Sequence, residues 1–149
     1  MRKSFLLPMA TLLLVAACGG GDTSTGPQGA NIAGLWNYSD NISSSSAGIS
    51  CISSGTVQIS QTGTNFSGTA TATSGVCTDS FGSSVDNTGT TAITGGQSNG
   101  MQVTFQTEGC QYTGTLSGNP INAMSGTETC TVAISGTNYT FTGPWQASR

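Results

Sequence analysis

Beyond residue 30 the apolar side chains of this chain come in twos. In "TVQISQTGTNFSGTATA", Thr56 to Ala72, Val57 and Ile59 alternate with Gln58 and Ser60. A glycine turn intervenes, and then Phe66, Gly68, Ala70 and Ala72 alternate with Ser67, Thr69 and Thr71. Period-two alternation puts the apolar residues on one face of an extended chain, so this stretch reads as a hairpin with one apolar face. The pattern recurs. Met101, Val103 and Phe105 form one face, and Tyr112, Gly114 and Leu116 the next, across a Glu108-Gly109 turn. Val132 and Ile134 lead through "SGTN" to Tyr139, Phe141, Gly143 and Trp145. Strands are expected near 32–38, 56–61, 65–73, 89–94, 101–107, 110–117, 121–132 and 138–147. No stretch after Cys18 shows helical periodicity. The fold class is therefore all-β, an antiparallel up-and-down meander of about eight strands, and closing it into a barrel removes its exposed edges.

A short internal echo supports closure. "NFSGT", "QYTGT", "AMSGT" and "NYTFTG" each place a large apolar residue two positions before a glycine of the same face. Glycine inside a strand marks a bend or a close approach of two backbones. Repeated bends suit a sheet curling into a small barrel. From Asn31 to Arg149 there are about 120 residues, enough to bury roughly two-thirds of the unfolded surface in one core. Scarce charges and abundant Ser, Thr, Gly and Asn also suit disorder. The regular spacing of aromatic and β-branched residues argues for a folded domain.

The amino-terminal segment has a different texture. Arg2 and Lys3 open it, and Phe5 to Ala17 is mostly apolar, broken by Pro8 and Thr11. A helix of that length rises roughly 20 Å, short of a bilayer core of roughly 30 Å. A charged start, a short apolar middle and small residues at the end are the layout of a secretory signal peptide. Val15-Ala16-Ala17-Cys18 resembles the bacterial lipobox, which implies cleavage after residue 17 and lipidation of Cys18, palmitate included. Several acyl chains together give stable anchoring. The expected organisation is a signal peptide at 1–17, the lipidated Cys18 with a Gly/Ser/Thr-rich tether at 18–30, and a β-barrel domain at 31–149. The expected location is the bacterial cell envelope. In enteric bacteria an Asp after the lipidated cysteine signals inner-membrane retention; Gly19 stands there, which points to the outer membrane.

Removal of the first 17 residues takes two of the three basic side chains, leaving Arg149 against six acids: Asp22, Asp40, Asp79, Asp86, Glu108 and Glu128. The net charge moves from −3 to one minus six, −5. No basic patch remains, so nucleic acid is not an expected partner. Cys51, Cys77, Cys110 and Cys130 are an even set in an exported chain, which favours two disulfides. Zinc is not expected, since there is neither a close cysteine pair nor any histidine. In an antiparallel hairpin directly paired residues have a constant index sum. Cys110 and Cys130 are centred on the "GNPIN" turn and Cys51 and Cys77 on the "TGT" turn, so these two pairings are preferred. Cys77 is out of phase with Phe66 unless "TSG", Thr73 to Gly75, contains a bulge. Each bridge would contribute roughly 3 kcal/mol by loop entropy.

Without histidine, and with no lysine after the signal segment, Ser-His-Asp, Cys-His and Ser-Lys machinery is absent. A carboxylate pair is the remaining catalytic option. Asp79, Asp86, Glu108 and Glu128 read instead as solvated turn residues. The expectation is a non-enzyme with no cofactor and no metal. The candidate ligand-lining residues are the aromatics Trp36, Tyr38, Phe66, Phe105, Tyr112, Phe141 and Trp145. An eight-stranded barrel is near the size at which the interior is either filled or holds one small ligand. The same aromatics could simply fill it.

Gly34-Leu35-Trp36 on the first strand and Arg149 after the last resemble the calycins, the lipocalins and avidins. Their first strand carries G-x-W, and a late basic residue packs over that tryptophan. "GPWQASR" also resembles the late tryptophan strand of avidins. The resemblance implies a barrel in which Arg149 closes one end against Trp36, with any ligand entering at the other. It implies no particular ligand: Asn37 and Tyr38 do not reproduce the polar biotin contacts of avidins, and a long serine-rich interval separates the first two expected strands. Two functional classes follow. One is a calycin-like barrel binding a small apolar ligand at the envelope. The other is a structural or protein-interaction module, such as a surface protein, an assembly factor or a protease inhibitor. An aromatic cavity would mark the first; a filled barrel with an exposed apolar patch would mark the second.

Overall fold

The computed structural model describes residues 29–149; the signal peptide, Cys18 and nearly all of the tether lie outside the described residues. Nine strands follow one another: β1 (Gly34–Ser44), β2 (Ile49–Thr62), β3 (Asn65–Asp79), β4 (Ser84–Asp86), β5 (Gly89–Asn99), β6 (Gln102–Thr107), β7 (Cys110–Gly118), β8 (Ile121–Ile134) and β9 (Thr137–Ser148). Their spatial order is β2-β1-β9-β8-β7-β6-β5-β3-β4, and β2 also pairs with β3. Eight antiparallel strands thus close into a barrel, and β4 is an extra ribbon on the far end of β3.

The first two strands are longer than expected. The serine-rich interval belongs to the hairpin itself, with Asp40 opposite Ser53 and Ile42 opposite Cys51. The turn occupies only residues 45–48. The period-two signal was hidden there because inward positions carry polar residues: Asp40 and Ser44 on β1, and Ser53 on β2.

Strand glycines give the barrel its curvature. A Cβ at Gly55, Gly68, Gly114, Gly126 or Gly143 would strike a carbonyl oxygen of the neighbouring strand, on Thr71, Gln58, Ser125, Thr113 and Asn41 respectively. Four of these are the glycines of the sequence echo. Sheets curl most sharply at such positions. On β3 the register slips by one between Ser54/Ser74 and Gly55/Ala72, so Thr73 is the extra residue of a bulge within "TSG". The slip brings Cys77 opposite Cys51. Both disulfides, Cys51–Cys77 and Cys110–Cys130, join directly opposed residues, with Cα separations of 4.0 and 3.9 Å.

The two ends of the barrel differ. At the base, residues 29–33 cross the opening. Ile32 is fully buried there, its N–H donating to Gln61 Oε1 at 2.7 Å. Gln61 Nε2 and Ser98 Oγ each donate to the Ala30 carbonyl at 3.0 Å. Trp36 is fully buried on this plug, and its Nε1 donates to Ile32 O at 2.8 Å. The guanidinium carbon of Arg149 sits 4.3 Å from the Trp36 ring centroid. Its nitrogens donate to the carbonyls of Ala33 (2.7 Å), Asn31 (3.2 Å) and Ile121 (3.0 and 3.1 Å). One side chain therefore ties the start of the domain, the start of β8 and the end of β9. Among the described residues, no such plug crosses the opposite end, where β1 meets β2 and β8 meets β9.

Candidate functional site

Inward side chains fill the lower half of the barrel. Val57, Ile59, Ile93, Val103, Leu116 and Met124 pack with Trp36 and Trp145 above the base. Higher up, β3 presents only Ala70 and Ala72, and a chamber of about 880 Å³ lies there. Its lining includes a second apolar cluster, Ile42, Cys51, Cys130 and Phe141. The volume lies within the ~300–1,000 Å³ of small-molecule sites.

Six of the seven candidate aromatic residues line this chamber: Tyr38, Phe66, Phe105, Tyr112, Phe141 and Trp145. Trp36 does not. It is sealed between the plug and Arg149, so it belongs to the closed base and not to the chamber. Four of the remaining rings form a connected shelf. Phe105 and Tyr112 face each other across β6 and β7, nearly parallel at 6° and 4.4 Å. Trp145 stands edge-on to both, at 5.4 and 6.0 Å, and Phe66 tilts against Phe105 at 6.0 Å. Gly114 makes this possible, because a Cβ there would lie 2.7 Å from the Trp145 ring.

Two carboxylates share the chamber with these rings. Glu128 was expected to be a solvated turn residue; it lies instead at an inward position of β8, only 3 % exposed. Tyr112, directly opposite, donates its hydroxyl to Glu128 Oε1 at 2.8 Å. Cys130 Sγ lies 3.0 Å from the same oxygen, but a disulfide sulfur has no proton to donate. Oε2 has no partner. Burial pushes the Glu128 carboxyl from 4.5 up to about 7; the Tyr112 hydrogen bond opposes this, and the charge of Asp40 adds to it. Asp40, inward on β1, accepts from Ser53 N–H (3.0 Å) and Ser53 Oγ–H (2.6 Å). Its carboxyl is also raised by burial, with both Ser53 bonds opposing. Tyr38 and Tyr112 are raised chiefly by burial.

The sequence carried a signal for both acids: Glu128 shares parity with Met124 and Cys130, and Asp40 with Trp36, Tyr38 and Ile42. A strand reading that trusts parity over polarity would have placed them inside. Asp79 and Asp86 behave as turn residues. Asp79 Oδ1 accepts from the N–H groups of Phe81 and Ser83, and these bonds lower its carboxyl. Asp86 accepts from Thr88 N–H and hydroxyl. The Cys110, Glu128 and Cys130 ligand atoms cluster within 4.8 Å, but both cysteines are in a disulfide, so the group offers one carboxylate and no thiolate. At the mouth, Phe81 is 93 % and Val85 68 % exposed. Among the described residues no helix is long and apolar enough to cross a membrane. No protein-family model, no curated protein and no solved structure matches the chain.

Proposed function

We propose that this chain is a non-catalytic envelope lipoprotein whose barrel binds one small, largely apolar molecule in the manner of the calycins. The observation that carries the reading is the aromatic chamber of about 880 Å³, plugged at the Trp36–Arg149 end and open at the other. A closed base and an open far end let a ligand bury most of its surface without the barrel opening. The Gly34-Leu35-Trp36 and Arg149 placement supports the calycin likeness. The anchor rests on Val15-Ala16-Ala17-Cys18, which would hold the domain at the outer membrane.

Titrating the purified protein with a neutral aromatic alcohol, naphthylethanol, tests binding by calorimetry. One saturable site is expected. Ala70→Phe projects a ring into the chamber from β3 and should abolish binding while the strand content measured by circular dichroism is kept. Absence of saturable binding, or binding unchanged in Ala70→Phe, would overturn the reading. A second reading, a protein-interaction module, is favoured by one observation: the mouth presents Phe81 and Val85 to solvent. In that case Phe81→Ser would abolish partner capture and leave naphthylethanol binding absent in both forms.

A further inference from the structure

Resting on the binding chamber just described, we propose that its ligand is an organic cation: an aromatic or apolar body carrying a protonated amine, paired with Glu128 and Asp40. The placement of charge is the first argument. Asp40, Asp79, Glu108 and Glu128 all line the chamber or its mouth. Arg149, the one basic side chain after the signal segment, is held at the opposite end by four hydrogen bonds to carbonyls. A cleft lined by one sign of charge with apolar walls focuses the field and concentrates the opposite ion.

The second argument is an unmet need. Glu128 is buried, and its Oε2 has no partner among the described residues. Buried charged groups are ordinarily paired, and this one has only the Tyr112 hydroxyl. Its cross-strand neighbour on β9 is Gly143, which adds no side chain beside it. Asp40 is oriented by two bonds from Ser53. An ammonium entering between them would supply donors to a carboxylate that lacks them. The rings of Tyr112, Phe105 and Trp145 would add cation–π attraction and receive the apolar body. An anion meets only carboxylates here, and a neutral molecule leaves Glu128 unpaired.

Proton linkage follows. The groups facing Glu128 are Tyr112 on β7, Asp40 and Tyr38 on β1, and, toward the mouth, Asp79 on β3 and Glu108 in the β6–β7 turn. Of these, Glu128 itself changes charge near pH 7. A cation binds the ionised form, so binding near neutrality should release a fraction of a proton, about half at pH 7.

The test is calorimetry of the purified protein with a matched set: naphthylethylamine, naphthylethanol and naphthylacetate. At about pH 8 the amine is expected to bind at least about tenfold tighter than the alcohol, with the acetate weakest. The amine advantage should shrink severalfold in both Glu128→Gln and Asp40→Asn. Near pH 7, titrations in buffers of different ionisation enthalpy should show proton release with the amine and none with the alcohol. That readout uses the unaltered chain and stands even if a variant fails to fold. Alcohol binding with no amine preference and no proton release would overturn the cation proposal and leave the chamber as a binding site. Binding of none of the three would overturn both.

Discussion

Glu128 makes the stability of this barrel depend on pH in a direction opposite to that of most carboxylates. Its carboxyl rises from 4.5 to about 7 on folding. Between those values the folded state holds a proton that the unfolded state has released, so stability falls as pH rises through this window. The contribution is fully present below about 4.5 and lost above about 7. At about 1.36 kcal/mol per pH unit the loss is roughly 3 kcal/mol. Glu128 lines a chamber that solvent enters, and screening there makes this figure an upper bound. Asp40, also raised, acts in the same sense. Asp79, lowered and at the surface, works the other way, and only at more acid pH. Glu128→Gln removes the charge at every pH. The variant should therefore be more stable than the parent above about pH 7, by up to roughly 3 kcal/mol, or roughly 10 °C in Tm for a domain of this size. From about pH 5 to about pH 8 its stability should slope less than the parent's, what remains coming from Asp40. Urea unfolding with the disulfides intact, at several pH values in that range, measures this. A parent curve that is flat across the window, or a variant that keeps the parent's slope, would refute the buried-carboxylate account.

Three further outcomes are expected. Cys18→Ala should abolish labelling by radioactive palmitate in cells and move the protein to the soluble export fraction; unchanged labelling would remove the anchor. Arg149→Ala should cost roughly 0.5–1 kcal/mol in urea unfolding, the magnitude of an exposed cation–π contact, and no loss of stability would mean that the guanidinium does not hold the base. Gly114→Ala places a methyl against Ser125 O and the Trp145 ring, so it should destabilise by roughly 1–3 kcal/mol, as overpacking does, and shift the Trp145 emission.

Local patterning made the fold legible, and the same patterning hid part of the site. The hairpins at 56–72 and 101–117 advertise themselves because apolar and polar residues alternate without interruption. The bulge in "TSG" was legible from a parity conflict between Phe66 and Cys77, which only one extra residue could resolve. The outer halves of β1 and β2 were not, since serines and an aspartate occupy their inward positions. Strand β4 is three residues long and takes its pairing from β3, with no pattern of its own. Glu128 was misplaced for a physical reason. A lone carboxylate is usually cheapest in water, and nothing local announces that Tyr112 stands opposite to receive it. Trp36 carries two readings in the sequence, chamber lining and base closure under Arg149, because an aromatic on an inward face can serve either end of a barrel. The fold places it at the base under Arg149 and adds residues 29–33 as a second cover.

The two tryptophans permit the most direct test of the central claim, that the barrel holds a ligand in a chamber closed at one end and open at the other. Trp145 lines that chamber, and Trp36 is sealed beneath the plug and Arg149. Fluorotryptophan incorporated throughout the chain gives one fluorine resonance from each, assigned by Trp145→Phe. On titration with naphthylethanol the account predicts a saturable shift of the Trp145 resonance, with the Trp36 resonance nearly unmoved. Two stationary resonances, or a shift confined to Trp36, would contradict it.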